Sequence, residues 1–302
     1  MFYKDNWLAW TYDDVKFGNK TTPQSRFEFQ FKKTIKQPLK SHKQELLENT
    51  RIIRDSFNEP FDLLFSGGVD SEIVLRCHVE LKIPINVFIF KYEKDYNCHD
   101  VRHALRICEE LNVTPTVIDF DLAKFFETDA YDIWKSGFFA KAGRLPHMKM
   151  LDYLDNIPVM GDGDPAWVFK DNRWLYELSE TCHSQSIYCN IIKRTALCDW
   201  FEYSPKVIVS HMNLERMQDV VNNIVLDDNI YYDRNKYFLY KDIWPTIIPR
   251  PKRVGYEQFN PRPKSIATDL SYMLDFQNMI DASGIIDNIM YFTKDEFVNL
   301  IS

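Results

Sequence analysis

The chain has 302 residues, 45% of them hydrophobic and 27% charged, with a formal net charge of -7. That length supports one large domain or two modest ones around a sizeable core. An acidic balance supplies no broad field for nucleic acid, and no apolar run approaches the length of a membrane span. The opening "MFYKDNWLAWTYDD" carries charges where a signal peptide needs an apolar run, so a cytoplasmic location is expected. Cys77, Cys98, Cys108, Cys182, Cys189 and Cys198 are then expected as reduced thiols, and none forms a C-x-x-C pair.

Residues 1–40 read as a small β-hairpin appendage. "WLAWTY" and "RFEFQF" are strand-like, Phe27, Phe29 and Phe31 alternate onto one face, and the turn-rich "GNKTTPQS" lies between them. "SHKQELLENTRIIRDSF" predicts a helix with Ser41 as N-cap and Leu46, Ile53 and Phe57 near helical spacing. A β-α alternation follows: strands at "FDLLF", "INVFIF", "PTVIDF" and Ile157–Met160, helices at "SEIVLRCHVELK" and "CHDVRHALRICEELN". Such alternation predicts an α/β fold whose parallel sheet is covered on both faces. Residues 122–156 are mostly helical by pattern, broken at "GRLP". Trp167 and Trp174 flank a short hairpin expected beside the active site. The chain is helical again from Ser184 to about Ile224, and the last thirty residues predict one or two more helices.

The segment of most interest is "FDLLFSGGVDSEIVL". Ser66 to Ser71 sits at the carboxyl end of the first core strand and opens a helix, which is where ligands bind in open α/β sheets. A helix N-terminus suits a phosphate. Gly67 and Gly68 let backbone N–H groups approach an anion closely, and Ser66 and Ser71 add hydroxyl donors. Asp70 repels phosphate unless it helps hold a Mg²⁺ that travels with it. Neither the Walker loop nor G-x-G-x-x-G occurs here.

The six residues Ser66, Gly67, Gly68, Val69, Asp70 and Ser71 resemble the pyrophosphate loop of the N-type ATP pyrophosphatases, the PP-loop superfamily, which cut ATP into AMP and pyrophosphate. "VMGDGDPAW" is similar to the second signature of the asparagine synthetase family, G-E-G-x-D-E. Asp162 replaces its first glutamate, the segment is one residue short, Asp164 becomes the metal carboxylate, and Pro165 stands where a glutamate is usual. "WPTIIPRPKRVGYEQF" resembles the C-terminal segment of asparagine and β-lactam synthetases, with Arg250, Lys252 and Gly255-Tyr256 matching an R-x-K and glycine-aromatic pattern. The resemblance runs from Ser41 to Pro263 and makes 41–302 a synthetase domain. It implies an adenine nucleotide α-hydrolase type of Rossmann-like sheet with a helical C-terminal region, and ATP and Mg²⁺ as cofactors. It also implies adenylation of a small-molecule or peptide carboxylate, then attack by ammonia or an amine.

On that resemblance Asp70 and Asp164 hold Mg²⁺, Asp162 handles the substrate or amine, and Lys252 stabilises the leaving pyrophosphate and the tetrahedral intermediate. Backbone groups near Phe90 to Tyr92 meet the adenine. The family's glutaminase domain, with its cysteine after Met1, is not seen. Nitrogen is therefore expected from ammonia, a separate glutaminase or an amine on the substrate, with no nucleic acid or membrane partner. Two alternatives stay open: modification of an RNA base or deazapurine on the same core, or an inactive nucleotide-binding scaffold. Lys135, Lys141, Arg144, His147 and Lys149 read more readily as a solvated helix face than as an anion site. His99 with His103, and Cys182, His183 and Cys189, lack the pattern of a metal site.

Overall fold

Local chemistry accounts for most of the elements. The computed structural model describes residues 7–13, 15–16, 18–31, 38–163, 165–217, 234–248 and 271–301. Asp164 and residues 249–259 of the third motif, with Arg250, Lys252, Gly255 and Tyr256, lie outside the described residues.

Strands β1 (Leu8–Tyr12), β2 (Val15–Lys16) and β3 (Phe27–Phe31) form an antiparallel sheet in the order β2-β1-β3. Phe27 and Phe29 are buried on the face that their alternation predicts. The strands pack on the rest of the chain. Trp7 Nε1 donates to Glu202 O at 2.8 Å, Tyr12 donates to Glu180 at 2.7 Å, and the buried Lys20 ammonium pairs with Glu180 at 2.7 Å.

Helix α1 (His42–Ser56) opens on a capping box. Ser41 Oγ accepts from the Gln44 N–H, and the Gln44 side chain accepts from the Ser41 N–H. Strand β4 (Phe61–Leu64) precedes α2 (Val69–Leu81), then β5 (Asn86–Tyr92), α3 (Cys98–Glu110) and β6 (Thr116–Phe120) follow. Helices α4 (Leu122–Thr128), α5 (Ala130–Gly137) and α6 (Leu145–Met150) lead to β7 (Ile157–Val159). The four core strands are parallel, in the order β6-β5-β4-β7, with Leu63 opposite both Val87 and Val159. Asp62 sits fully buried in this sheet because Asn86 and Asn156 saturate its carboxylate with three hydrogen bonds of 2.8–2.9 Å. The first strand lies inside the sheet, the next two extend one way and the fourth the other. A crevice is thereby placed at the carboxyl end of β4.

Strands β8 (Trp167–Lys170) and β9 (Arg173–Ser179) form the expected hairpin. Its turn, Asp171-Asn172, has φ of 52° and 58°, the twist that a two-residue hairpin loop requires. The C-terminal region, expected to be helical, also supplies β10 (Ile289–Thr293), which pairs with β9. Helices α7 (Ser184–Ile191) and α8 (Pro205–His211) flank a 3₁₀ turn at Trp200–Tyr203. Further helices span Arg234–Lys241, Ser271–Ala282 and Lys294–Ile301. Among the described residues, no helix is long and apolar enough to cross a membrane.

Candidate functional site

The glycine loop is built by steric necessity. Gly67 has φ +71°, and a Cβ there would sit 3.0 Å from the Ala104 backbone nitrogen on α3. Gly68 is the N-cap of α2 and has no side chain to cap the helix. A helix end of this kind presents backbone N–H groups to an anion. The serines organise the loop internally. Ser66 Oγ accepts from the Gly68 N–H at 3.2 Å and lies 3.3 Å from Ser71 Oγ, which donates to Gly68 O at 3.1 Å.

The second motif arrives from β7. Gly161 bridges to Asp199, and its Cα lies so near the first motif that a Cβ would be 2.7 Å from both Asp70 C and Ser71 N. Two segments ninety residues apart in the chain therefore meet backbone to backbone at the crevice. Gly163, with φ +74°, packs its Cα against Asp199 and Glu202.

A cavity of about 370 Å³ opens here, a volume within the range of small-molecule sites. Ser66, Gly68, Asp70 and Ser71 form one wall, Phe90 an apolar wall, and Asp162 the side reached from the second motif. Gly67 is buried behind the loop at α3, and Val69 is the first residue of α2; neither lines the cavity. The carboxylates and hydroxyls present are hard oxygen donors that suit Mg²⁺.

Four residues of the site went unrecognised in the sequence. Asn97 and Asp100 line the cavity from the start of α3. Asn97 fixes the end of β5, where its Oδ1 accepts from the Tyr92 N–H and its Nδ2 donates to Phe90 O, both at 2.8 Å. These are the backbone groups that the resemblance assigns to adenine, so in this structure a side chain of the protein holds them. Arg144 and His147 were expected on a solvated face, together with Lys135, Lys141 and Lys149. Lys135 and Lys141 are indeed exposed, and Lys149 pairs with Asp129 and Asp152. Arg144 instead pairs with Asp162 at 3.1 Å, and His147 lines the cavity. Burial and the Arg144 charge lower the His147 pKa to about 4, so its imidazole is neutral at pH 7. The available signal was position: residues just past a strand's carboxyl end, or three apart at a helix start, converge on the crevice.

His103, far from ligating with His99, contacts the Arg106 side chain at 3.0 Å. His183 does not group with Cys182 and Cys189 but with two carboxylates, Asp199 and Glu202.

No protein-family model matches the sequence, and none of the curated proteins matches it. Among solved structures the chain is similar to the NMN synthetase of Francisella tularensis, at 20% identity and a TM-score of 0.31, over 40% of this chain and 53% of that one. The match thus spans about half of the NMN synthetase. It is also similar to the NH3-dependent NAD synthetase of Campylobacter jejuni subsp. jejuni NCTC 11168, solved in complex with the nitrate ion. That match has 13% identity and a TM-score of 0.32, over 70% of this chain and 97% of that one. Neither likeness carries a statement about this chain's activity.

Proposed function

We propose that the chain is an ATP-dependent carbon–nitrogen ligase of the PP-loop type that forms AMP and pyrophosphate. One observation carries this reading: the S-G-G-V-D-S loop and the G-D-G segment abut at Gly161 and Asp70-Ser71, on a cavity at the switch point of a parallel sheet. A dispersed acidic turn and an unrelated glycine-rich turn have no reason to share a backbone contact.

In this reading Ser66, Gly68 and Ser71 bind the β- and γ-phosphates through the loop and the α2 N-terminus, with Gly67 shaping the loop and Val69 opening the helix behind them. Asp70, with Asp164, holds Mg²⁺, which supplies neutralisation of phosphate charge. A carboxylate oxygen of the substrate attacks the α-phosphorus, the bond to the β-phosphate oxygen breaks, and pyrophosphate leaves. An amine nitrogen then attacks the acyl carbon, AMP leaves, and the nitrogen loses a proton. Asp162 orients the substrate or amine, and Arg144 holds its carboxylate in place. Lys252 meets the negative charge that develops on pyrophosphate and on the tetrahedral intermediate. The buried apolar wall around Phe90 limits water that would hydrolyse an adenylate.

The test is ATP–pyrophosphate exchange with pooled small carboxylic acids, which needs adenylation but no amine. Exchange that disappears in Asp70→Ala and falls in Lys252→Ala supports the reading. ADP formation without exchange contradicts it.

A further inference from the structure

We propose that His183, Asp199 and Glu202 form a site for one divalent transition-metal ion of the zinc class, lying beneath the Gly161–Gly163 loop and separate from the nucleotide cavity. His183 precedes α7, while Asp199 caps the 3₁₀ turn at Trp200–Tyr203 and Glu202 lies within it. One ligand atom from each lies within 4.8 Å of the others, and all three residues are at most 5% exposed.

The orientation of each group is that of a ligand held from behind. His183 Nδ1 donates to Ser179 O at 2.7 Å, which fixes the tautomer and points Nε2 at the carboxylates. Tyr176 donates to Glu202 Oε1 at 2.9 Å, leaving Oε2 as the oxygen facing His183 at 2.6 Å. Ser186 donates to Asp199 Oδ2 at 2.6 Å. An imidazole anchored by a carbonyl, and carboxylates anchored by hydroxyls, are the outer contacts that metal sites use to aim their ligands.

Charge points the same way. Two carboxylate side chains and one imidazole meet in a place that is almost fully buried. A divalent ion with a neutral imidazole brings the trio to zero, which removes a cost that buried charge otherwise carries. Binding of the ion needs the Nε2–Oε2 separation to widen from 2.6 Å to about 3.3 Å, the edge of a tetrahedron with 2.0 Å arms. One nitrogen and two oxygen donors without thiolate select Zn²⁺, Mn²⁺ or Fe²⁺ over Ca²⁺ and Mg²⁺, which favour oxygen alone.

The site would brace the second motif. A Cβ on Gly163 would lie 3.1 Å from both Asp199 Cβ and Glu202 Cγ, so the loop rests directly on two of the ligands. Trp7 Nε1 donates to the Glu202 carbonyl, and the Phe29 ring sits 4.7 Å from the His183 ring, so the N-terminal sheet closes the site from the other side.

The experiment is metal analysis by plasma mass spectrometry on the full chain, expressed with Zn²⁺, Mn²⁺ and Fe²⁺ supplied and dialysed against a weak chelator. About one transition-metal ion per chain is expected, with apo protein taking up Co²⁺ to give a ligand-field absorption band. Asp199→Asn should lose both signals. Tyr176→Phe, which keeps the fold and all three ligands, should weaken Co²⁺ affinity about 10–100-fold. Asp70→Asn, at the nucleotide cavity, should retain the metal. Circular dichroism separates loss of metal from loss of fold. Wild-type protein that carries no transition metal and gives no Co²⁺ band would overturn the proposal and leave a proton-held ion network. Metal retained by Asp199→Asn would overturn the ligand set.

Discussion

Gly161→Ala is the most informative single substitution. The added Cβ would lie 2.7 Å from Asp70 C and Ser71 N and 3.0 Å from Asp70 O. All three are backbone atoms, so no side chain can rotate away. Restoring an ordinary contact of 3.4 Å requires the second motif and the phosphate loop to part by about 0.7 Å. Overpacking of this kind costs about 1–3 kcal/mol of stability. A shift approaching 1 Å at a reacting centre can cost about a hundredfold in rate. Gly137→Ala provides the control, because its Cβ would meet the Phe139 ring at 2.5 Å and Ile191 at 2.9 Å, side chains of a region away from the loop. Urea unfolding gives the stability change of each variant, and AMP release from Mg·ATP gives the rate. Gly161→Ala should lose about 10–100-fold in AMP release while remaining folded, and Gly137→Ala should lose stability with little change in rate. A Gly161→Ala protein with wild-type stability and turnover would show that the two motifs do not touch.

Arg144→Gln should change stability by less than about 1 kcal/mol, since the pair is partly exposed, yet lower AMP release about tenfold by freeing Asp162. Lys20→Met leaves the buried Glu180 carboxylate without its cation and should cost about 3–5 kcal/mol in urea unfolding, with part recovered in the Lys20→Met, Glu180→Gln double variant. Burial lowers His78, and burial with the Arg144 charge lowers His147, each to about 4. Folded-state values below the ordinary 6.5 mean that the unfolded chain binds more protons between those limits. Stability is then fully present above pH 6.5 and falls between pH 6.5 and 4, by about 1 kcal/mol per pH unit for each histidine. Urea titrations across that window should lose about half of the two-histidine slope in His147→Gln, with His78 supplying the rest; an unchanged slope would contradict the burial of a neutral imidazole at His147.

What could be read from the sequence was what short-range chemistry writes. Ser41 and Gln44 satisfy one another within a helical turn, and the capping box appears where the pattern places it. Phe61 to Ser71 encodes strand, loop and helix in adjacent residues, and Gly67 matches the steric demand of Ala104. The hairpin between Trp167 and Trp174 follows from Asp171 and Asn172, residues that tolerate a left-handed turn. What could not be read depends on distant pairing. β10 is recruited by β9 from more than a hundred residues away, and its own apolar pattern also suits a helix. Arg144 belongs to Asp162 only because α6 and β7 converge on the crevice. Asn97 looks like a loop residue until the Phe90 and Tyr92 backbone is seen to need it. His183 stands beside Cys182 in sequence, yet its chemistry comes from Asp199 and Glu202 across a turn of chain. The third motif, with Lys252, rests on the sequence alone.

The central claim is the bond that is cut in ATP. ³¹P NMR of the full chain with Mg·ATP, pooled carboxylic acids and ammonium follows every phosphorus at once. The account predicts AMP and pyrophosphate in equal amounts, dependent on a carboxylate and absent in Asp70→Ala. ADP and inorganic phosphate, appearing at the same rate in Asp70→Ala, would contradict it.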